Sequence, residues 1–232
     1  MGQIISFDGL NRSGKGTQIS KMKEHLESLS VPVGVLRGDG SRPGKGLDNF
    51  TDPSSDWWKI WQANNNKNYQ DWNLAYQVLS NENEDKYASF ISTNPEGVLL
   101  MDRCYLSRWF MLRQQDKDTK FEDAFLSTNL HPEQYFVIDV PKDVLLERVS
   151  DDDYTKTEFR RENVRRGYDL WQDTINRAED YLKEKMIRLD GTKSPDKLHN
   201  IISLSIDISL CSPTTYELEK WQNLEKITAI QH

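Results

Sequence analysis

The stretch Ile4 to Gln18 constrains this chain more than any other. An apolar run (Ile4, Ile5, Phe7) stops at Asp8-Gly9, passes through a turn, and reaches Gly14-Lys15-Gly16-Thr17-Gln18. An apolar series then recurs at Ile19, Met22, Leu26 and Leu29, spaced by three and four. That spacing predicts a buried strand, a tight glycine turn and the first turns of an amphipathic helix. Gly9-x4-Gly14-Lys15 is the phosphate-cradling loop pattern, and it stands between the strand and the helix that the pattern requires. Backbone N–H groups at the start of a helix point at an anion, the helix dipole adds to the attraction, and a lysine ammonium reaches the outer phosphates. A site for a nucleotide's phosphates is the expectation.

The rest of the chain alternates strand and helix. Short apolar runs at Val31–Leu36, Gly97–Met101, Tyr135–Val140 and Met186–Asp190 read as four further strands. Helical patterns lie at about Asp71–Ile91, Lys142–Val149 and Leu198–Leu210, and a basic helix start holds Arg160, Arg161, Arg165 and Arg166. The stripe of the Asp71–Ile91 helix is Trp72, Ala75, Tyr76 and Leu79, resuming at Tyr87 and Phe90 after a polar turn around Asn83. Such alternation predicts an α/β fold, a three-layer α/β/α sandwich around a five-stranded parallel sheet. Residues 1–210 make one domain, with a helical region over about 38–94 that could cover an acceptor, and a short lid over about 150–162. Ser150–Glu158 reads as a polar loop. Residues 211–232 form a helical tail, with Leu218, Trp221, Leu224 and Ile227 at helical spacing. That tail could dock on its own domain or on a second copy in a homodimer. The cluster Trp57, Trp58 and Trp61 reads as satellite core or one wall of a substrate cleft.

Composition narrows the partners. A net charge of −7 offers no broad basic surface, so no nucleic-acid partner is expected. No apolar run reaches membrane-spanning length, and the first residues enter a strand without a charged leader, so neither membrane insertion nor secretion is expected. Cys104 and Cys211 stand far apart, which suits a reduced, cytoplasmic setting. Arginines concentrated after a polar loop in an acidic chain suggest a lid that closes on phosphate. Asp102, at the tip of the Gly97–Met101 strand beside the loop, stands where a carboxylate holds Mg²⁺ or its water shell.

From Ile4 to about Leu210 the chain resembles thymidylate kinases, within the P-loop nucleoside monophosphate kinases. The family's F-E-G-x-D-R-x-G-K-x-T-Q loop matches Phe7 to Gln18, and its D-R-x-x-x-S segment matches Asp102-Arg103-Cys104-Tyr105-Leu106-Ser107. Its strand followed by L-x-R matches Val137 to Arg148, and its adenine-side D-x-x-x-S turn matches Asp190 to Ser194. The resemblance implies transfer of the γ-phosphoryl group of ATP, with Mg²⁺, to a nucleoside monophosphate. It implies that Gly9, Asn11, Arg12, Ser13, Gly14, Lys15, Gly16, Thr17 and Gln18 hold the donor phosphates, with Arg148 and Thr192 near the adenine. Arg12 would lie between donor and acceptor, Asp8, Asn11, Arg37, Arg103 and Ser107 on the acceptor side, and Arg160 would close over the transferring group. Metal placement would fall to Asp102 and Thr17, because Gly16 stands where a P-loop usually has a hydroxyl.

The acceptor-base site departs from the family. Matching distances to Asp102-Arg103 puts Val78 where an aromatic stacks on thymine, Glu82 where an arginine bonds a base carbonyl, and Leu112 near the usual polar contact. A carboxylate accepts hydrogen bonds and cannot donate them. Thymidylate is therefore expected to be a poor acceptor, and an amino-bearing base a better one. A nucleoside kinase, with Asp102-Arg103 or Asp8 serving a sugar hydroxyl, is the near alternative, and a catalytically silent nucleotide-binding module is the second.

Overall fold

A computed structural model describes residues 2–37, 56, 59, 69–149 and 154–210, with backbone alone for 69–76, 154–157, 159, 160 and 207–210. Five strands, β1 (Gln3–Asp8), β2 (Val33–Arg37), β3 (Val98–Asp102), β4 (Gln134–Asp139) and β5 (Met186–Asp190), form one sheet in the order β2-β3-β1-β4-β5. Every neighbouring pair is parallel. The order puts β1 at the centre, flanked by β3 and β4, so the carboxyl end of β1 opens where the chain's crossovers diverge. Ligands bind at such a point in open α/β sheets. Strands covered on both faces read as continuous apolar runs. Leu99, Leu100, Phe136 and Val137 are fully buried, as that rule requires.

Seven helices are described: α1 (Lys15–Ser28), α2 (Tyr69–Thr93), α3 (Tyr105–Arg113), α4 (Phe121–Phe125), α5 (Lys142–Arg148), α6 (Tyr154–Leu182) and α7 (Pro195–Leu210). α1 packs on α7 and on β1 to β3, while α3 packs on α4 and α6, and α5 on α6. The result is the expected three-layer α/β/α sandwich. No described helix is long and apolar enough to cross a membrane.

Several local expectations change. Leu29 lies beyond α1 and is 52% exposed, because Ser30 takes a left-handed φ of 60° and turns the chain away. α2 runs unbroken through Asn83, which is buried where a polar turn was expected. The polar loop expected over Ser150–Glu158 is already helical from Tyr154. Nothing in the sequence patterns above predicts α3 and α4; Arg113 on the buried face of α3 spoils its apolar period. Most of the first half of the helical region expected over about 38–94, the tryptophan cluster and the tail 211–232 lie outside the described residues, as do residues 150–153 of the lid and the side chains of Trp72, Ala75 and Tyr76.

The long helix α6 buries Val164, Trp171, Ile175, Ala178 and Leu182, a stripe at helical spacing. Gly167 lets it approach α3, since a Cβ there would stand 3.1 Å from the Phe110 ring. Next to this contact Arg113, only 2% exposed, donates to Thr174 Oγ1 at 2.8 Å, to the Asp173 carboxylate, and to Lys117 O at 3.3 Å. Its guanidinium also lies 5.2 Å from the Trp109 ring centre. The bond from Arg113 holds the Asp173 carboxyl below its usual range. At the sheet edge, Arg188 on β5 donates to Asp139 and to Gln172 on α6, so a second polar cluster ties the same helix to β4 and β5. An Arg113→Leu variant leaves Thr174 and Lys117 O without their donor. It should lose about 1–3 kcal/mol of unfolding free energy in a urea titration, with the slope unchanged.

Candidate functional site

The turn after β1 is built from backbone conformations few residues accept. Gly9 has φ 148° and Gly14, at the N-cap of α1, has φ 102°. A Cβ on Gly9 would come within 2.6 Å of Ser13 Oγ and 2.7 Å of Ile138 O. Ser13 N donates to Leu10 O and Gln18 N to Gly14 O, so the first turn of α1 closes directly behind the loop. The amides of Lys15, Gly16 and Thr17 precede any intrahelical acceptor, which is the condition for anion binding at a helix start. Gly16 and Thr17 are exposed there. Lys15, 7% exposed, bends over the loop and donates to Gly9 O and Leu10 O, both at 2.9 Å, with Ser13 Oγ at 3.5 Å.

Arginines reach this turn from the end of β3 and from α5. Arg103, just past β3, has φ 75° and donates to Gly9 O at 3.1 Å and to Asn11 Oδ1 at 2.7 Å. Arg12 also has a positive φ, of 69°. Left-handed backbone costs a non-glycine residue about 1–2 kcal/mol, and such strain gathers at functional sites. Arg148, on α5, donates to Arg12 O at 3.4 Å and to Gly191 O at 2.8 Å, linking the loop to the turn after β5. In that turn Thr192 is bonded through both its hydroxyl and its amide to Asp190 Oδ1; the hydroxyl bond holds the Asp190 carboxyl low. At the tips of β2 and β3, Arg37 and Asp102 stand 3.7 Å apart. Asp102 Oδ1 is buried and, among the described residues, has no hydrogen-bond partner.

Beneath the loop, Asp8 is fully buried. Its Oδ1 accepts from Ser107 Oγ at 2.6 Å and from Cys104 N at 3.3 Å, and its Oδ2 from the Cys104 thiol at 3.1 Å. Burial, reinforced by the Asp8 charge, pushes the Cys104 thiol well up, so it stays protonated and donates.

Gly9, Asn11, Ser13, Lys15 and Arg103 thus meet at one place, with Arg12, Arg148, Arg37 and Asp102 around it. Four others, Asp8, Ser107, Gln18 and Glu82, stand differently from expectation. Asp8 and Ser107 bond each other inside the protein and form the floor of the site rather than an acceptor contact. Gln18, 1% exposed, donates to Pro195 O at 3.0 Å and joins α1 to α7. Glu82 does not wait for a base: its Oε1 accepts from Asp56 N at 2.7 Å. The Arg160 side chain lies outside the described residues. Its neighbours Arg165 and Arg166 pair with Glu158 and Glu162 on their own helix, which also holds Glu162 low.

Beside the cradle a pocket is lined by Leu79, Asn83, Met101, Cys104, Tyr105 and Arg108, with Ser80, Ser127, Thr128 and Leu130 completing it. Neither Asn83, expected only in a polar turn, nor Arg108 is among the expected site residues. The available signal was that Asn83 falls four residues after Leu79 and four before Tyr87, in phase with the apolar stripe.

Models of known protein families gave no match, and neither did the curated proteins. Among solved structures, the fold is similar to a crystal structure of thymidylate kinase from Ehrlichia chaffeensis, with a TM-score of 0.59. The match covers 89% of this chain and 98% of that one at 15% identity, a likeness of fold.

The floor is open to a direct check. Ser107→Ala deprives a fully buried carboxylate of its shortest hydrogen bond and should cost about 1–3 kcal/mol in denaturant unfolding. A variant as stable as the parent would return Ser107 to the ligand side of the site.

Proposed function

We propose that the chain transfers the γ-phosphoryl group of ATP to a nucleoside monophosphate, giving the diphosphate. The observation that carries this reading is the convergence of Lys15, Arg103 and the glycine turn at the central strand, beside a second pocket that shares Cys104 with the floor. Phosphoryl transfer asks a protein mainly to position two phosphates in line and to neutralise charge on the oxygens between them. On this reading the loop amides and Lys15 hold the donor phosphates. Lys15 gives up its bonds to Gly9 O and Leu10 O for phosphate oxygens. Arg12 and Arg103, fixed by their backbones and by Asn11, face the gap between donor and acceptor, and Arg37 takes the acceptor phosphate. Arg148 and Thr192 border the donor base, and Arg160 with its neighbours comes down as the lid.

The donor set suits Mg²⁺. Asp102 offers a buried oxygen with no partner among the described residues, Thr17 is exposed at the helix start, and a small hard cation is held by one or two carboxylates plus phosphate oxygens. No group of three or more His, Cys, Asp or Glu among the described residues could hold a metal, so the ion would arrive with the nucleotide. When bound, it would neutralise charge on the transferring phosphates.

Two features weigh on the alternatives. Asp8 is buried and bonded to Ser107 and Cys104, so it is poorly placed as the base a nucleoside kinase needs for a sugar hydroxyl. Glu82, bonded to Asp56, gives no ground for excluding thymidylate. The reading includes a cytoplasmic setting and, through residues 211–232, docking either on the chain itself or on a second copy.

With ATP labelled at the γ position, Mg²⁺, and panels of nucleosides and nucleoside monophosphates, label should appear in a nucleoside diphosphate and in no product of a plain nucleoside. Label on a sugar hydroxyl would establish the nucleoside kinase instead. ATP binding without transfer would establish the silent module. Lys15→Met should lower kcat by about 100-fold or more while the protein stays folded.

A further inference from the structure

Asn83 is 3% exposed, on the buried face of α2, and its amide is divided between two tasks. Nδ2 donates to Arg37 O at 3.3 Å. Oδ1 is buried and, among the described residues, has no donor. Buried amide oxygens are nearly always paired, and an exception calls for a cause. The residue lines the pocket beside the cradle, and the pocket adjoins the floor of the phosphate site at Cys104. Cys104, on its wall, bonds Asp8 below the loop, and Arg37, whose carbonyl anchors Asn83, pairs with Asp102.

Other hydroxyls of the pocket already have partners. Ser80 Oγ bonds Glu84 and Ser127 O, and Thr128 Oγ1 bonds Glu84 and accepts from Leu130 N. Asn83 supplies the acceptor of the lining, and Arg108, whose guanidinium can only donate, supplies donors from α3. The amide cannot reverse freely, because turning it would set Oδ1 against the carbonyl of Arg37. Asn83 therefore presents a fixed acceptor.

We propose that Asn83, rather than Glu82, reads the base of the acceptor nucleotide. Its Oδ1 takes a hydrogen bond from an N–H on the pairing edge of the base, while Arg108 donates to the adjacent carbonyl or ring nitrogen. The ligand class is a nucleoside monophosphate whose base places an N–H donor beside an acceptor. A base methylated at that N–H is excluded. This assignment rests on the phosphotransferase reading above.

The test uses the full chain, ATP and Mg²⁺. Thymidylate, deoxyuridylate, deoxycytidylate, deoxyguanylate and deoxyadenylate are assayed, and the best of them is compared with its counterpart methylated at the pairing-edge N–H. The parent protein should lose about 30-fold or more in kcat/KM on methylation, as sites built to bond a substrate N–H do. Asn83→Leu should bring the unmodified nucleotide down toward the methylated one, shrinking that ratio below about 3-fold, with the KM for ATP unchanged. Asn83→Ala serves the same comparison should the leucine variant not fold. A ratio that survives in the variants, or a parent indifferent to methylation, overturns the assignment to Asn83 while leaving the phosphotransferase intact. Absence of transfer to all five monophosphates overturns both.

Discussion

One buried carboxylate underlies the site. Asp8 closes the central strand with no exposure, and a charge in that position persists only when its oxygens are fully engaged. Its partners come from the connection after β3, where Ser107 and Cys104 supply three donors. The pairing fixes the start of α3 against the end of β1. Arg103 lies in that connection, one residue before Cys104, which is how its guanidinium meets Gly9 and Asn11. The cradle and the pocket beside it are accordingly two sides of one polar joint, with Cys104 belonging to both.

Around this joint the chain accepts local cost. Arg12 and Arg103 both hold left-handed backbones, and two glycines supply positive φ where a side chain would collide or strain. None of this serves the core, which the apolar strands already complete. Of the four left-handed non-glycine residues among the described ones, Arg12 and Arg103 stand at the loop, where strain is the pattern expected if geometry is held for a ligand. Lys15 shows the complementary economy: with its ammonium bonded to loop carbonyls, the cradle holds its shape before any phosphate enters.

The sheet, its five strands and the loop were legible because buried parallel strands and helix starts write themselves in short, strong patterns. Met186–Asp190 is read to the residue. Residues whose roles depend on what lies across from them were not. Gln18 and Ser107 look like ligand contacts in a motif, yet each spends its polar group on a neighbouring segment. The resemblance, aligned on Asp102-Arg103, sets Glu82 at a base, whereas one residue further on, the helix turns Asn83 inward. A polar residue in phase with an apolar stripe carries more information than an interruption of it. Arg113 makes the same point on α3, where a buried guanidinium hid a helix.

The 29-residue span of α6 has a mechanical consequence. Arg113 grips it at Asp173 and Thr174, and Arg188 with Asp139 holds it at Gln172, all toward its far half. Packing continues toward the near end through Trp171, Gly167 and Val164, so the arm from Tyr154 extends about ten residues beyond it, or about 15 Å at 1.5 Å per residue. The helix is then a lever with its fulcrum near Val164. A tilt of about 10° there would carry the tip about 3 Å. Closure over a phosphate would need no unfolding of the arm, only a small yielding at its pivot.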